Sequence, residues 1–530
     1  MSNERDLTKE LAEQFLADPN SVDLGTYTTV ENDAAAFLIK HEGWLGLYGL
    51  TSLSDEIAEI LSHHKDINLS GLTCLSDTAA IALGLNGVGL DLSGLTSLSI
   101  ETAEALSKCK SELRLSGLTS LSDDMAVILS KHHGNLWLSG LTSLSDSAAE
   151  ALGNHQGDLF LQGLTSLTDA AAESLSKHQG ALELSGLTKL SDSAAQSLSR
   201  LEGSLSLDSL ESLSDTPGHV ALATSLISHQ GNPLRLSGLK NLSDYMAEIL
   251  CKHHGDLWLG GLRRLSDAAA EALGNHHGEL ILRGLISVTD AAAENLSKHQ
   301  GALELTGLTT LSDSAALSLS KLQYPLYLDA LESISDTPGH LALANSLIDH
   351  DGFKGDTLYL SGLKNLSDAA AEILGQHVGG LWLSGLTSLS DAAAKAFASQ
   401  RGDILFLGGL TTISDAAAES LSKRFHDNMD LSGLTTLSDA AAKSLGSHCG
   451  SLHLTGLTDI SETAAESLSK HRGLNLGSQT SQSETVAIRL IKSKRTVTPK
   501  VELITLENQA ESSQIKTRIK RILEFLNFRF

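Results

Sequence analysis

The sequence predicts an α/β solenoid, built from one short unit that repeats along most of its 530 residues. Aligned on the segment Leu136–Asp146, the chain contains 18 equivalent units, and 12 of the 17 intervals between their glycines are 23 residues. A fixed period in the twenties is typical of solenoids, in which each unit buries its apolar face against the next. Each unit also passes from a strand-like pattern to a helix-like one, which predicts alternating strands and helices.

The first part of each unit predicts a short strand and a turn. Leu136, Trp137 and Leu138 alternate with period two, as a strand does when one of its faces is buried. Gly140 follows, at a position that is glycine in 16 of the 18 units. We therefore expect a turn that needs either a positive φ or a close approach between backbones.

The second part of each unit predicts a short helix. Ser145 and Asp146 offer capping oxygens, and the second of these positions is aspartate in 16 of the 18 units. The alanine-rich run that follows has high helix propensity. Leu144, Ala148 and Leu152 are spaced i, i+4 and i+8, so they share one face of this helix and should point inward.

The frame LxLxxLxxLSDxAxxxL, as it stands in residues 136–152, resembles the leucine-rich repeat. It is most similar to the cysteine-containing subclass, written LxLxxCxxITDxGxxxL, and to short bacterial leucine-rich repeats. Leu141 stands where that subclass has Cys or Asn, so another group must satisfy the turn amides. We expect Thr142, Thr165 and Thr188 to do so. Ala148 replaces the helical glycine, which favours a regular helix.

This resemblance implies a right-handed solenoid with a parallel sheet on its concave face and short helices on its convex face. Simple geometry predicts the same curvature. Neighbouring strands lie about 4.8 Å apart, whereas packed helices need about 8–10 Å between their axes. A stack with strands on one side and helices on the other must therefore bend toward its strands.

Three segments are expected along the chain. Residues 1–20 predict an N-terminal helical cap, with a partner-binding helix as the alternative. Residues 21–476 form the solenoid of about 18–19 units. Residues 477–530 carry ten Lys or Arg and five Glu, a net charge of +5. We interpret them as a basic C-terminal cap or tail; the alternatives are an amphipathic helix that binds a membrane surface or a partner, and a tail under weak functional constraint.

Two units are longer than the rest, and both contain the sequence SDTPGH, at Ser214–His219 and Ser335–His340. The Thr-Pro step in each predicts a helix N-cap followed by proline at the first helical position. The stretches 116–219 and 237–340 are close copies, which indicates an internal duplication of five units. An enzyme would be expected only if residues 477–530 or an insertion loop completed a site with the solenoid, and clustered His and carboxylate side chains around His219 or His340 would indicate such a site.

Composition and motifs argue against several other functions. The net charge of −26 argues against nucleic-acid binding by the solenoid. No signal-peptide core, membrane-length apolar run or paired cysteine spacing is present, so we expect a cytoplasmic protein. No phosphate-binding loop, HExxH or nucleophile elbow occurs, so we expect no enzymatic activity and no cofactor.

Histidine recurs nine residues after the aspartate at the helix start, as His155 does after Asp146. A ladder of metal ligands is one interpretation. However, zinc ligands must approach a single ion to about 2.0–2.1 Å, whereas adjacent helices are about 8–10 Å apart. We therefore expect no metal site. The histidine should instead have a structural role at the helix end, as a cation-capable group near the last carbonyls.

The middle residue of each strand, here called the outer column, is the best candidate for binding. It holds seven of the 20 aromatic residues and three of the four tryptophans. Aromatic and arginine side chains dominate interface energetics. The predicted contact residues are Trp137, Phe160, Arg235, Trp258, Tyr327, Tyr359, Trp382 and Phe406.

These residues predict a non-enzymatic scaffold that binds another protein through its concave face. One alternative is a glycan or small ligand stacked on the aromatic stripe. Another is that the aromatic rings only pack on each other along the sheet.

Overall fold

The computed structural model describes residues 5–84, 89–228, 233–349, 357–424 and 428–475. The predicted tail at 477–530 lies outside these residues. The chain divides into two compact parts, residues 1–262 and 263–530, which are called the first and the second unit from here on. The short segments that recur about every 23 residues are called repeats.

The first unit contains twelve strands and eleven helices among its described residues. Its strands are β1 (Asp6–Leu7), β2 (Thr29–Val30), β3 (Leu45–Gly46), β4 (Asp66–Asn68), β5 (Gly89–Asp91), β6 (Leu113–Arg114), β7 (Leu136–Trp137), β8 (Leu159–Phe160), β9 (Leu182–Glu183), β10 (Leu205–Ser206), β11 (Leu234–Arg235) and β12 (Leu257–Trp258). Its helices are α1 (Lys9–Ala17), α2 (Asn32–Leu38), α3 (Asp55–Leu61), α4 (Asp77–Gly84), α5 (Ile100–Leu106), α6 (Asp123–Leu129), α7 (Asp146–Leu152), α8 (Asp169–Leu175), α9 (Asp192–Leu198), α10 (Pro217–Ser228) and α11 (Asp244–Leu250). A short 3₁₀ helix spans Leu24–Thr26.

The second unit continues the same alternation. Its described strands are β13 (Leu280–Ile281), β14 (Leu303–Glu304), β15 (Leu326–Tyr327), β16 (Ser333–Ile334), β17 (Leu358–Tyr359), β18 (Asn365–Leu366), β19 (Leu381–Trp382), β20 (Ile404–Phe406), β21 (Asn428–Asp430), β22 (Ser451–His453) and β23 (Gly473–Asn475). Its helices are α12 (Asp267–Gly274), α13 (Asp290–Leu296), α14 (Asp313–Leu319), α15 (Pro338–Asp349), α16 (Asp368–Leu374), α17 (Asp391–Ala398), α18 (Asp415–Leu421), α19 (Asp439–Leu445) and α20 (Glu462–Leu468).

Among the described residues every strand pair is parallel, and the pairs from β3 onward join equivalent positions of neighbouring repeats. Leu136 pairs with Leu159 and Trp137 with Phe160, for example. In the first unit β3 to β10 form one sheet in chain order, and β11 pairs with β12. In the second unit β13 to β15 pair in order, β16 pairs with β18, and β17 and β19 to β23 form another sheet. Successive helices pack along the opposite side. Each unit is thus an α/β solenoid of parallel strands and short helices, as predicted.

The core of each repeat consists of leucine from the strand and turn together with alanine and leucine from the helix. In the repeat that begins at Leu136, both strand leucines, Leu141, Ala148 and Leu152 are fully buried. Leu144 is only partly buried and precedes the helix, which begins at Asp146, so it does not share the buried helix face with Ala148 and Leu152 as predicted.

The repeated turn glycine is required by a close approach between backbones. A Cβ atom on Gly140 would lie 2.1 Å from the carbonyl oxygen of Ser116 and 2.7 Å from that of Leu118, both in the preceding repeat. Among the described glycines a positive φ occurs at Gly379. Of the two explanations that the sequence left open, close approach is therefore the correct one for this position.

The threonine following the turn does not satisfy the turn amides, and this expectation was wrong. The Leu141 amide donates to the carbonyl of Leu138 (3.1 Å), so the turn closes on its own backbone. Thr142 and Thr165 are exposed. In other repeats the equivalent hydroxyl donates across the repeat boundary, as from Thr458 Oγ1 to the carbonyl of Thr435 (3.2 Å).

The helix starts are capped as predicted, and they are also linked to one another. Ser145 Oγ accepts a hydrogen bond from the Ala148 amide (3.0 Å). The same hydroxyl donates to Asp123 of the preceding repeat, and Asp146 accepts from the Thr168 hydroxyl of the next one. This chain of contacts, here called the serine–aspartate ladder, recurs in both units, for example between Ser390 and Asp368.

The two longer repeats replace the short helix with helices of 12 residues, α10 and α15. Both begin at the proline of the Thr-Pro step, as the sequence predicted. Here the aspartate of the ladder gains a backbone donor beside the threonine side chain: Asp192 accepts from the Gly218 amide and Asp313 from the Gly339 amide (2.7 Å each).

The described part of the predicted N-terminal cap contains a strand and a helix. Leu7 lies in β1, which pairs with β2, and the helix itself spans Lys9–Ala17. Phe15 is buried and its ring meets the edge of His41 at a centroid distance of 5.1 Å. The helix thereby packs against α2 at the first repeat.

Candidate functional site

The outer column lies on the face of each strand that points away from the leucine core. The leucines on either side of Trp258 are fully buried, whereas Trp258 is partly exposed. Of the eight predicted contact residues, Arg235 and Tyr359 are exposed and the other six are partly exposed. The column is not uniform, since Ile281 is only 3% exposed.

In the first unit, three members of the outer column form a stack. The Trp137 and Phe160 rings are parallel within 3°, with centroids 3.6 Å apart. The Arg114 guanidinium lies 4.6 Å from the Trp137 ring centroid, and its Nε is paired with Glu112. Strand pairing fixes this order, because Arg114 is opposite Trp137 on β6 and β7, and Trp137 is opposite Phe160 on β7 and β8. Trp137 therefore carries an arginine on one side and an aromatic ring on the other.

A second arginine–tryptophan pair occurs farther along the same unit. The Arg235 guanidinium lies 4.4 Å from the ring centroid of Trp258, its partner in the β11–β12 register. Such a cation–π contact contributes about 0.5–1 kcal/mol at an exposed site. The indole Nε1 atoms of Trp137 and Trp258 are buried and have no hydrogen-bond partner among the described residues.

In the second unit the stack contains three aromatic rings. Trp382 lies between Tyr359, at a centroid distance of 5.6 Å, and Phe406, at 3.6 Å. The Trp382 Nε1 donates to Ser384 Oγ (3.0 Å). Tyr327 is opposite Glu304 in the β14–β15 register, and Glu304 forms an ion pair with Arg283.

The structure therefore places most of the predicted residues in two stacks and one pair. Stacking leaves ring edges, Arg235 and the Tyr359 side chain facing outward, while both faces of Trp137 and Trp382 are covered. One aromatic residue of the strand-side surface was missed by the sequence analysis. Trp44 lies two residues before Gly46 of the outer column, and the i, i+2 spacing on a strand could have revealed it.

The recurring histidine is buried, and burial disfavours the charged form of the imidazole in the three repeats described next. His155 is 1% exposed, and burial together with the neighbouring His132 and His178 lowers its pKa to about 4. Burial likewise lowers the pKa of His299 and of His471 to about 4. The rings of His132, His155 and His178 stack at centroid distances of 6.0 and 6.1 Å.

In some repeats this histidine links neighbouring loops. His64 Nε2 donates to the carbonyl of His41 in the preceding repeat (2.9 Å), and its Nδ1 accepts from the Asp66 amide (3.2 Å). His299 Nε2 donates to the carbonyl of Gly278 (2.9 Å). Both ring nitrogens of His64 are thereby used in backbone hydrogen bonds by the neutral imidazole.

Other side chains perform the same role where histidine is absent. Gln400 Nε2 donates to the carbonyls of His377 (3.1 Å) and Gly379 (2.6 Å). Arg424 Nη1 donates to the carbonyl of Phe397 (2.6 Å) and Nη2 to that of Gly402 (3.0 Å). What these side chains share is a donor that reaches the preceding loop.

The two SDTPGH segments place a serine beside a histidine at a helix start. Ser335 Oγ lies 2.6 Å from His340 Nδ1, and the same nitrogen accepts from the Ser335 amide (3.1 Å). The other ring nitrogen donates to the carbonyl of Leu311 (3.2 Å). The nearby carboxylate of Asp313 binds the Gly339 amide. In this arrangement the side chains fix a helix start, and the aspartate does not orient the imidazole as a catalytic triad would.

Among the described residues no group of three or more His, Cys, Asp or Glu side chains could hold a metal ion. In the same part of the chain, no helix is both long enough and apolar enough to span a membrane.

The sequence matches no protein-family model and no curated protein. Solved structures similar to the chain include a leucine-rich-repeat protein of Leptospira interrogans, at 19% identity and a TM-score of 0.38, over 80% of this chain and 94% of that one. An internalin from Listeria monocytogenes is 18% identical with a TM-score of 0.38, over 67% of this chain and 88% of that one. The Toll–Spätzle complex of Drosophila is 15% identical with a TM-score of 0.35, over 78% of this chain and 53% of that one.

Proposed function

We propose that the chain is a non-enzymatic scaffold that binds another protein through its strand-side surface, which the sequence predicts to be concave. The single observation that carries this proposal is the ordered stacking of aromatic and arginine side chains in the outer column. Trp137 and Trp382 are held rigidly between neighbours, so little side-chain entropy remains to be lost on binding. The contact residues are the eight predicted from the sequence.

The stacking also favours a protein partner over a glycan at this stripe. A sugar ring binds to the open face of an aromatic ring, and both faces of Trp137 and of Trp382 are covered by neighbours. Ring edges and arginine groups suit the interdigitated side chains of a protein interface.

The proposal is tested by affinity capture with the full chain, followed by measurement of the dissociation constant for the recovered partner. We expect a variant with Trp137, Trp258 and Trp382 all changed to alanine to bind that partner at least about 100-fold more weakly, because buried tryptophan anchors each contribute about 2 kcal/mol or more. Equal affinity of the wild type and this variant would contradict the site assignment.

A matched control removes three exposed apolar side chains from the helix side. Val127, Tyr245 and Leu317 lie in α6, α11 and α14 and are 48%, 49% and 43% exposed. Changing all three to alanine should leave the affinity within about twofold of the wild type, a difference below 0.5 kcal/mol. A loss equal to that of the tryptophan variant would place the partner on the helices instead.

We also propose a cytoplasmic location for the protein. Cys74 and Cys449 are exposed and, like Cys109 and Cys251, form no disulfide. Free thiols are usual in a reducing compartment. Fractionation of cells that produce the tagged full chain tests this proposal, and recovery outside the cytoplasmic fraction would contradict it.

A further inference from the structure

The strand-side surface of the first unit contains an open cavity of about 530 Å³ near its N-terminal strands. This volume is within the range of about 300–1,000 Å³ that is usual for ligand sites. The cavity is lined by Trp44 and by side chains of the next three strands, including Asn68 on β4, Asp91 on β5 and Arg114 on β6. None of the contact residues proposed above lines it.

Trp44 differs from the other three tryptophans in having an open ring. Its side chain is 56% exposed, and it makes no ring stacking or cation contact with any described residue. The ring lies over Gly46, since a Cβ atom on that glycine would be 2.6 Å from the Trp44 ring. Glycine in the outer column thus leaves room for an aromatic wall at one end of the cavity.

The floor of the cavity offers planar polar groups in fixed positions. Asn68 Nδ2 donates to Asp91 Oδ2 (3.2 Å), and Asn68 Oδ1 accepts from the Ser70 amide (2.9 Å). Asp91 Oδ1 accepts from the amide and the hydroxyl of Ser93 (3.0 and 2.6 Å). These bonds leave one hydrogen on the Asn68 amide and further lone pairs on the Asp91 carboxylate, so a donor and an acceptor face the cavity side by side.

The charges that line the cavity nearly balance. Lys65 and Arg114 contribute two positive charges, whereas Asp66, Asp91 and Glu112 contribute three negative ones, and Arg114 is already paired with Glu112. Three carboxylates argue against a phosphate or another anion. The paired arginine and the lysine argue against a strongly basic peptide.

We propose that this cavity, here called the Trp44 site, binds an uncharged oligosaccharide. The C–H face of a sugar ring would stack on the open face of Trp44. Its hydroxyl groups, which both donate and accept, match the adjacent amide and carboxylate of Asn68 and Asp91. Arg114 lines this site and also lies over Trp137, but Trp44 belongs to neither stack, so substitution of Trp44 tests this site independently of the proposed protein interface.

The test is isothermal titration of the full chain with four neutral probes: cellohexaose, hexa-N-acetylchitohexaose, maltohexaose and mannohexaose. We expect at least one to bind with a dissociation constant of about 1 mM or tighter. Trp44→Ala should weaken that binding at least about tenfold, and Trp44→Phe, which keeps an aromatic face, by about threefold or less. Asp91→Asn keeps the shape of the floor and should change the affinity without abolishing it.

The control is Tyr245→Ala, which removes an exposed aromatic ring (49% exposed) from helix α11 and should leave binding unchanged. Absence of binding by all four probes would overturn the proposal. So would equal binding by the wild type and Trp44→Ala, provided that both give the same circular-dichroism spectrum. Salt-sensitive, Trp44-dependent binding of a lysine-rich peptide in place of the sugars would assign the site to a basic peptide and would also overturn it.

Discussion

The turn glycine of each repeat can be tested by adding one methyl group. Gly140→Ala would place a Cβ atom 2.1 Å from the Ser116 carbonyl oxygen, so neighbouring backbones must separate. Overpacking of this kind costs about 1–3 kcal/mol. We therefore expect a lower urea midpoint for the variant, measured by circular dichroism.

Gly260 provides the control, because nothing lies within 4 Å of a Cβ atom at that position. Gly260→Ala should leave the midpoint unchanged or raise it slightly, since alanine restricts the unfolded chain. If both substitutions lowered the midpoint equally, close approach would not be the reason for glycine in the turn.

At the scale of single residues, the sequence predicted where a side chain lies better than it predicted the protonation state or the hydrogen-bond partners of that side chain. The spacing located the histidine at the ends of many helices, but it did not reveal that burial disfavours the charged form, as it does at His155. The charge of this imidazole depends on its burial and on the histidine rings 23 residues before and after it. Both arise only when several repeats are stacked, so the sequence of one repeat does not reveal them. The same limit explains the error at Thr142, because the partner of the turn amide is a backbone atom that no sequence pattern displays.

At the scale of the helix, the cap can be tested at Ser145. Ser145→Ala removes the acceptor for the Ala148 amide and the donor to Asp123. Loss of an N-cap costs about 0.5–2 kcal/mol. We expect a reduction of this size in the free energy of unfolding, together with faster hydrogen exchange at the Ala148 amide.

Ser147→Ala is the matched control, since Ser147 is exposed in the first turn of the same helix and forms no hydrogen bond with a described residue. It should be neutral or slightly stabilising, because alanine has the higher helix propensity. Equal losses for the two variants would show that the serine hydroxyl at the cap is not what stabilises the helix.

Strands and helices were the best predicted features, because their signals are local. The alternating leucines predicted strand β7, and the Ser-Asp pair predicted the start of helix α7. The contact between Ser145 and Asp123 was not predicted. The sequence of one repeat identifies the capping serine, but it does not show which residue of the preceding repeat lies beside it. Likewise β16 and β18 pair beside the longer repeat, where the periodic pattern is interrupted.

At the scale of the whole molecule, the buried histidines predict sensitivity to acid. The pKa of His155, His299 and His471 is lowered from 6.5 to about 4, so the unfolded chain binds more protons between these values. Their contribution to stability is therefore complete above about pH 6.5 and is lost as the pH falls toward 4. We expect the urea midpoint to fall steadily over this interval.

Glutamine can replace a buried histidine of this column, because Gln400 is buried at the equivalent position and donates to the preceding loop as His299 does. A variant with His155→Gln and His299→Gln should therefore lose less stability between pH 6.5 and 4 than the wild type. The control His133→Gln changes an exposed histidine beside the buried column and should leave the pH profile as it is. Parallel profiles for all three proteins would mean that other groups cause the acid sensitivity.

Candidate site residues were predicted from the sequence only where they occupy a position that recurs in every repeat. Trp137 and Trp382 belong to the outer column, and their stacking follows from strand register. Trp44 lies at the first regular repeat, outside the outer column, and its relation to Asn68 and Asp91 requires three strands to be placed side by side. Cavities between repeats are properties of the assembled stack, so composition and spacing do not predict them.

The serine–aspartate ladder bears on how such a chain can grow by gene duplication. Each aspartate binds a hydroxyl of the following repeat, as Asp146 binds Thr168, so copying one whole repeat adds a matching donor and acceptor together. In the two longer repeats Asp192 and Asp313 keep a threonine as partner, Thr216 and Thr337, and each also accepts from the backbone amide of a glycine. The ladder therefore continues through repeats of both lengths, and the closely similar stretches 116–219 and 237–340 each contain one such contact.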